Sequence, residues 1–243
     1  RGDFFPDCPD AKLAYAQLDH CFAHDAKSYQ AALELFSTRQ HDAWVESAYR
    51  RAIELDPTAA APWNGLGNLL KNHLKRFDEA ESAFRRAIEL NQTFADPWNG
   101  LGNLLKNNLK RFDEAESAYR CAIALDEQSA YPWNGLGNLL QDHLSRFEEA
   151  ESAYRRAIEL DSSLAFPWQG LGDLLKNHLK RFDEAEGAYR RAIELDETSA
   201  NPWNGLGNLL KSHLKRFDEA ESAYRHAIAL DEGNVYSWAS LAR

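Results

Sequence analysis

A nine-residue motif, Pro-Trp-Asn-Gly-Leu-Gly-Asn-Leu-Leu, occurs five times in the chain and constrains its fold more than any other feature. The copies begin at prolines 62, 97, 132, 167 and 202, so that successive copies are 35 residues apart. Only Gln169 and Asp173 depart from the motif, and no copy carries an insertion. A fixed period of this length is typical of one supersecondary unit stacked along an axis. We therefore expect function to reside in a surface that several units build together.

Composition narrows the class of protein. The chain has 243 residues, of which 44% are hydrophobic, which is enough for a folded body with a continuous core between neighbouring units. The net charge of −10 argues against nucleic-acid binding and against binding to an anionic membrane, because both need a basic surface. The sequence contains no apolar run long enough to span a bilayer and no signal peptide.

The cysteines indicate a reducing compartment. Cys8, Cys21 and Cys121 occupy unrelated positions and do not form a disulfide framework, so we expect a cytoplasmic protein. Cys8 and Cys21, with His20 and His24, lack a recognised zinc spacing, so no metal or other cofactor is expected. The absence of methionine suggests a piece of a longer protein.

The periodicity divides the chain into four parts. Residues 1–24 are expected to form a leader with a capping helix at about 10–22, and residues 25–61 a degenerate first repeat with helices at about 25–37 and 42–55. Residues 62–236 hold five full repeats. Residues 237–243 would begin a further helix that is truncated.

Each full repeat is predicted to contain two helices. In the first copy, the first helix opens at Pro62, and its apolar half includes Trp63 and Leu66. Residues 72–76 form the turn, and the second helix runs from about 77 to 90. Gly67 and Ala80 are small residues on the buried halves, where we expect close helix packing. Gly65 lies on the polar half, which suggests the close approach of another group.

These residues resemble a known family. Trp63, Leu66 and Gly67 at the spacing W-x2-L-G, followed by Ala80 and Phe84 at A-x3-F, are similar to the tetratricopeptide repeat. The similarity covers about residues 42–243. The period of 35 is one residue longer than the usual 34, and the extra residue falls within the turn.

The resemblance implies an all-α, right-handed solenoid of antiparallel helix pairs that is not an enzyme. It also implies that the first helices line a concave groove in which a protein or peptide partner binds. Neighbouring first helices about 10 Å apart would match about three residues of an extended peptide at about 3.3 Å per residue.

An asparagine stripe is the expected peptide-binding surface. Asparagine is unfavourable inside an exposed helix, yet it recurs four residues apart on the polar half of the first helices. Its amide could pair with both the N–H and the C=O of a peptide backbone. An alternative is that duplication copied neutral polar residues. The stripe and its neighbouring lysines are Asn64, Asn68, Lys71, Asn99, Asn103, Lys106, Asn134, Asn138, Gln169, Asp173, Lys176, Asn204, Asn208 and Lys211.

Tyr131 and Phe166 precede the prolines of adjacent repeats, where the copies vary most, and are expected to contact apolar partner side chains. The alternative is that these positions vary without functional consequence, because the end of a loop tolerates many residue types.

Other functions stay open. The lysines could hold a partner's C-terminal carboxylate, as in the family's carboxylate-clamp members, but Gln141, Asp142 and Asp173 interrupt the positive run. A single-stranded RNA reader would share the 35-residue period of pentatricopeptide repeats, but the acidic central units argue against it. The chain could also be an architectural or sensor arm of a larger protein, or could self-associate through exposed solenoid ends. We predict a protein-binding scaffold.

Overall fold

The computed structural model describes residues 42–233 and 235–241, and every regular element in these ranges is helical. The chain divides into two compact units, residues 1–110 and 111–243. Two of the predicted helices, at about 10–22 and 25–37, and the predicted leader lie outside the described residues.

The first unit contains four described helices. The helices are α1 (Asp42–Leu55), α2 (Ala60–Leu69), α3 (Phe77–Leu90) and α4 (Ala95–Leu104), and α2 and α4 continue into π-helical turns at Leu70–Leu74 and Leu105–Leu109.

The second unit contains eight described helices. The helices are α5 (Phe112–Leu125), α6 (Ala130–Asp142), α7 (Phe147–Leu160), α8 (Ala165–Leu174), α9 (Phe182–Leu195), α10 (Ala200–Leu209), α11 (Phe217–Leu230) and α12 (Val235–Leu241), and π-helical turns follow α8 at Leu175–Leu179 and α10 at Leu210–Leu214. The predicted fold class, antiparallel helix pairs in tandem, is confirmed.

Local sequence sets the ends of each helix. The first helices begin two residues before their proline, so that Pro62 lies in the first turn of α2, where its missing N–H leaves no hydrogen bond unmade. The second helices carry acidic residues in the first turn, as Asp78 and Glu79 do in α3, which suits the positive end of the helix dipole. They end in an extended residue whose side chain accepts the N–H two residues on, as Asn91 does from Thr93 at 3.0 Å.

The turn between paired helices differs from the predicted one. The first helix does not stop at residue 71 but continues through a π-helical turn to Leu74, and the N–H of Arg76 then bonds to the carbonyl of Leu70 at 3.0 Å. Lys75 follows the π-helical turn and adopts the left-handed conformation, with φ 56°. The thirty-fifth residue is therefore taken up by the wider π-helical turn, because such a turn holds one more residue than an α-helical turn.

The repeat at 132–166 closes this turn with the same wide hydrogen bonds over a shorter stretch: the N–H of Leu144 bonds to the carbonyl of Leu139 at 3.3 Å, and the N–H of Arg146 bonds to that of Leu140 at 3.0 Å. Helix α6 remains α-helical to Asp142, and Ser145 takes the left-handed position with φ 53°.

The core of each unit is built from one buried aromatic ring per repeat, clasped by glycines. A Cβ at Gly67 would lie 2.8 Å from the ring of Phe84, and a Cβ at Gly100 would lie 2.6 Å from the same ring. In the second unit the ring of Tyr154 lies in the same way between Gly137 and Gly170. Each ring thus packs on its own repeat and on the next.

This arrangement corrects the expectation for Gly65. The group that approaches Gly65 is not external, because a Cβ there would overlap the ring of Tyr49 in the preceding helix α1. Gly65 lies on the polar half of the helical wheel, yet it faces the neighbouring repeat.

Arginine side chains join neighbouring second helices on the opposite side of the core. Nη1 of Arg181 donates to both carboxylate oxygens of Glu151 at 2.8 Å, and its other nitrogens donate to Glu184 at 2.6 Å. Arg76, Arg146 and Arg216 make the same pair of contacts, each with a glutamate 30 residues earlier. Such bidentate arginine–carboxylate pairs fix the relative orientation of the two side chains as well as their distance.

Candidate functional site

The asparagine stripe consists of two rows that differ in their surroundings. We call Asn64, Asn99, Asn134, Gln169 and Asn204 the first row, and Asn68, Asn103, Asn138, Asp173 and Asn208 the second row. All ten side chains lie on first helices, and all ten residues are half-buried.

The first row contains carbonyl oxygens without a partner. Oδ1 of Asn64, Asn99 and Asn134 is enclosed and accepts no hydrogen bond from the described residues. A buried acceptor that stays unpaired costs about 1–3 kcal/mol, so the same cost recurring in three copies needs an explanation. Asn204 differs, since its Oδ1 lies 3.4 Å from Nδ2 of Asn208.

The second row is tied to the core. The hydroxyl of Tyr154 donates to Oδ1 of Asn138 at 2.7 Å, and that of Tyr224 donates to Asn208 at 3.0 Å. Asp173 takes the same role for Tyr189, at 2.6 Å. Burial, followed by the charge of Asp173, raises the pKa of Tyr189, which therefore remains a neutral donor. Hydrogen bonds from core tyrosines thus orient Asn138, Asp173 and Asn208, a role that the sequence pattern did not reveal.

The lysines lie deeper than the helical wheel predicts. Lys106 and Lys176 are only 8% and 9% exposed. Nζ of Lys176 lies 5.3 Å from the centroid of the Tyr189 ring and 3.4 Å from Oδ1 of Asp173. Lys71 and Lys211 each lie 5.9 Å from the ring of their own repeat, and burial lowers the pKa of Lys71. Their stems pack on the core aromatics, and their charge is held close to the ring faces.

Tyr131 and Phe166 lie together, as adjacent repeats would place them. Their ring centroids are 5.8 Å apart, and their residues are 57% and 39% exposed. An exposed aromatic pair of this kind is a ready contact for an apolar side chain.

The first unit has a cavity of about 410 Å³ beside the stripe. Asn64, Asn68 and Asn72 of the first helix line one side, and Tyr49 and Asp96 belong to the helices before and after it. Asp96 holds the position equivalent to Tyr131, so the residue before each proline is part of this surface.

The turn histidines pack on aromatic rings. His143, His178 and His213 each stack on the phenylalanine that begins the preceding second helix, with centroids 4.1–4.3 Å apart. No cluster of three metal-ligating side chains occurs within residues 42–233 and 235–241. The cysteine and histidine group before residue 25 lies outside the described part of the chain.

Helix pairs in tandem with a polar stripe on their first helices define a helical-repeat protein. The described helices include none that is both long and apolar enough to cross a membrane. Three family models, each described as a tetratricopeptide repeat, match residues 46–96 and 171–235, residues 83–117, and residues 130–164. The chain belongs to the tetratricopeptide repeat family, whose repeats mediate protein–protein interactions and are typically not catalytic.

Solved structures show the same fold at low identity. YrrB, a TPR protein with an unusual peptide-binding site, is 22% identical, with a TM-score of 0.59 over 81% of this chain and 98% of that one. A chain of the APC/C hetero-tetramer Cut9-Hcn1 is 19% identical, with a TM-score of 0.82 over 96% of this chain and 46% of that one. The Pseudomonas aeruginosa protein pilF is 19% identical, with a TM-score of 0.75 over 89% and 96%. None of the curated protein sequences matches the chain.

Proposed function

We propose that this chain is a non-enzymatic interaction module that binds an extended segment of a partner protein across its first helices. The observation that carries the proposal is the row of half-buried amides at Asn64, Asn99 and Asn134, whose Oδ1 atoms accept no hydrogen bond from the described residues. Rotation about χ2 exchanges Oδ1 with Nδ2, so each amide could meet a backbone N–H or a backbone C=O of the partner. The second row would hold the neighbouring side of the segment.

The proposal makes a distinctive statement about stability. Replacing first-row asparagines with alanine removes a buried unpaired acceptor and improves helix propensity by about 0.6 kcal/mol per site. We therefore expect the triple variant Asn64→Ala/Asn99→Ala/Asn134→Ala to be at least as stable as the wild type and yet to lose its partner. A residue retained at the expense of stability is typical of a binding site.

Affinity capture from cells that express the protein, followed by mass spectrometry, would test this proposal. The matched control is Gln92→Ala/Gln128→Ala/Ser162→Ala, because these polar side chains are exposed in the turns that follow second helices, outside the stripe. A partner kept by the control and lost by the first-row variant supports the proposal. A partner kept by both variants would refute it, and so would a first-row variant that loses its partner only because it melts earlier.

A further inference from the structure

The near-identical repeats depart from one another most in α6 and α8. Most copies carry a lysine nine residues after the proline and an uncharged residue next to it, but here these positions hold Gln141 and Asp142. In the next copy Asp173 replaces the second-row asparagine. The aromatic pair, Tyr131 and Phe166, belongs to the same two helices.

These departures share one face of each helix. At 100° per residue, Tyr131, Asn134, Asn138 and Asp142 fall within about 80° of the circumference of α6. Phe166, Gln169 and Asp173 keep the same relation on α8. At about 1.5 Å per residue, the aromatic side chain precedes the first row by about 4.5 Å, and Asp142 follows the second row by about 6 Å. The polar rows thus lie between an apolar edge and an acidic edge.

The two carboxylates on this face differ in their partners. Asp142 is exposed and forms no ion pair with a described residue. Asp173 contacts Lys176 at 3.4 Å, but its side chain is still 32% exposed, whereas that of Lys176 is only 11% exposed. Burial, followed by the charges of Asp142 and Asp173, raises the pKa of Tyr154. In the other full repeats the positions equivalent to Asp142 and Asp173 carry asparagine or serine and no carboxylate.

We propose that α6 and α8 dock an extended segment that places an apolar side chain on Tyr131 and Phe166 and a lysine or arginine on Asp142 and Asp173. This inference rests on the proposed function, since it assumes that the backbone of the segment crosses the two rows. Charge complementarity selects the basic residue, and the exposed aromatic pair selects the apolar residue.

Strand geometry adds a spacing rule. Side chains of an extended chain point alternately to opposite sides, so the apolar and basic residues must be an odd number of positions apart. Neighbouring positions, or positions three apart, satisfy the rule, whereas a separation of two does not.

Selection of a displayed library of random twelve-residue peptides against the whole chain tests the inference. We expect enrichment of peptides with an aromatic or aliphatic residue at an odd distance from a lysine or arginine. Asp142→Asn/Asp173→Asn should abolish the preference for the basic residue while keeping the apolar preference, and Tyr131→Ala/Phe166→Ala should do the reverse. We expect the Asp→Asn variant to fold normally. In other repeats Asn138 and Asn208, at the position equivalent to Asp173, already accept the hydrogen bond of a tyrosine hydroxyl.

A second double variant, Glu197→Gln/Glu232→Gln, makes the same change in net charge at exposed sites in the turns and should keep the basic preference. A peptide selected by the wild type should bind the Asp→Asn variant about 3–10-fold more weakly in low salt, and this ratio should shrink as salt rises. Fluorescence anisotropy measures both values.

The outcomes separate the two proposals. If enriched peptides depend on the first row but show no excess of basic residues, the present inference is wrong and the proposed function stands. Loss of the basic preference in the Glu→Gln control would also overturn it, since general attraction to an acidic protein would then suffice. If no peptide is enriched, or enrichment ignores the first row, the proposed function itself fails.

Discussion

Gly170, which faces the ring of Tyr154 from the next repeat, offers a test of how the repeats pack. Alanine normally stabilises a helix interior by about 0.5–1 kcal/mol relative to glycine. At Gly170 the added Cβ would lie 2.6 Å from Cε1 of Tyr154 and 2.8 Å from Cζ, far inside normal contact. The ring has no room to retreat, because Gly137 lies against it from its own repeat.

The expected magnitude follows from these distances. Relief requires a shift of about 1 Å between packed helices, and overpacking of this kind costs about 1–3 kcal/mol. Subtracting the gain in helix propensity of about 0.5–1 kcal/mol leaves at most about 2.5 kcal/mol, and from the middle of both ranges we expect Gly170→Ala to destabilise the protein by about 1.3 kcal/mol. Gly187 is the matched control, since it lies within α9 and a Cβ added there would meet no other atom within 4 Å, so Gly187→Ala should stabilise by about 0.5–1 kcal/mol.

Urea unfolding followed by circular dichroism measures both changes. A third background identifies the cause: in a Tyr154→Ala variant the ring is gone, so the Gly170→Ala penalty should disappear. If Gly170→Ala is as stable as the wild type, or its penalty survives without the ring, the clasped-ring account of repeat packing is incorrect.

Three further predictions concern the turns and the arginine contacts. Lys215→Gly should raise the melting temperature, because it relieves the cost of about 1 kcal/mol for a residue with a side chain in the left-handed region, and a thermal melt in which stability falls would contradict this. Arg181→Ala should lower the melting temperature in low salt, with a smaller difference at about 1 M salt; a salt-independent difference would mean that packing, not charge, dominates. Hydrogen bonding to Arg181 lowers the pKa of Glu184, so folding releases protons from this group, and its contribution is present above about pH 4.5 and lost as the pH falls below that. Melts between about pH 6 and 3 should therefore decline less steeply in Arg181→Ala than in the wild type.

The sequence was sufficient to predict the fold because its signal repeats five times. The 35-residue period, the proline in the first turn and the apolar spacing of α3 predicted helix pairs whose second helix spans residues 77–90, as observed. The adjacency of Tyr131 and Phe166 also followed from the period alone.

Other features depend on contacts that one helical wheel does not contain. Gly65 lies on the polar half of its own helix, and the contact that explains it comes from the ring of Tyr49 in the neighbouring helix α1. The π-helical turn escaped prediction because Leu70–Leu74 is polar enough to suggest a loop. The helical wheel places Lys176 on the exposed half of its helix, because the ring of Tyr189 that covers it lies on the second helix of the repeat. The roles of the two rows diverge for the same reason: the hydroxyls of Tyr154, Tyr189 and Tyr224, on second helices, donate to second-row side chains.

The clasped rings also bear on how the chain finds its order during folding. Each ring joins residues that are only about 17 positions apart, so the contacts are local and should form quickly. Tyr154 and Tyr189 lie between equivalent glycines, so the contact between ring and glycine does not specify which repeat is the partner. A ring could dock onto the glycines of a copy further along the chain, or onto those of another molecule. Only the short connection between one helix and the next favours the correct neighbour. The departures at Asp142 and Asp173 make one pair of repeats chemically distinguishable from the rest.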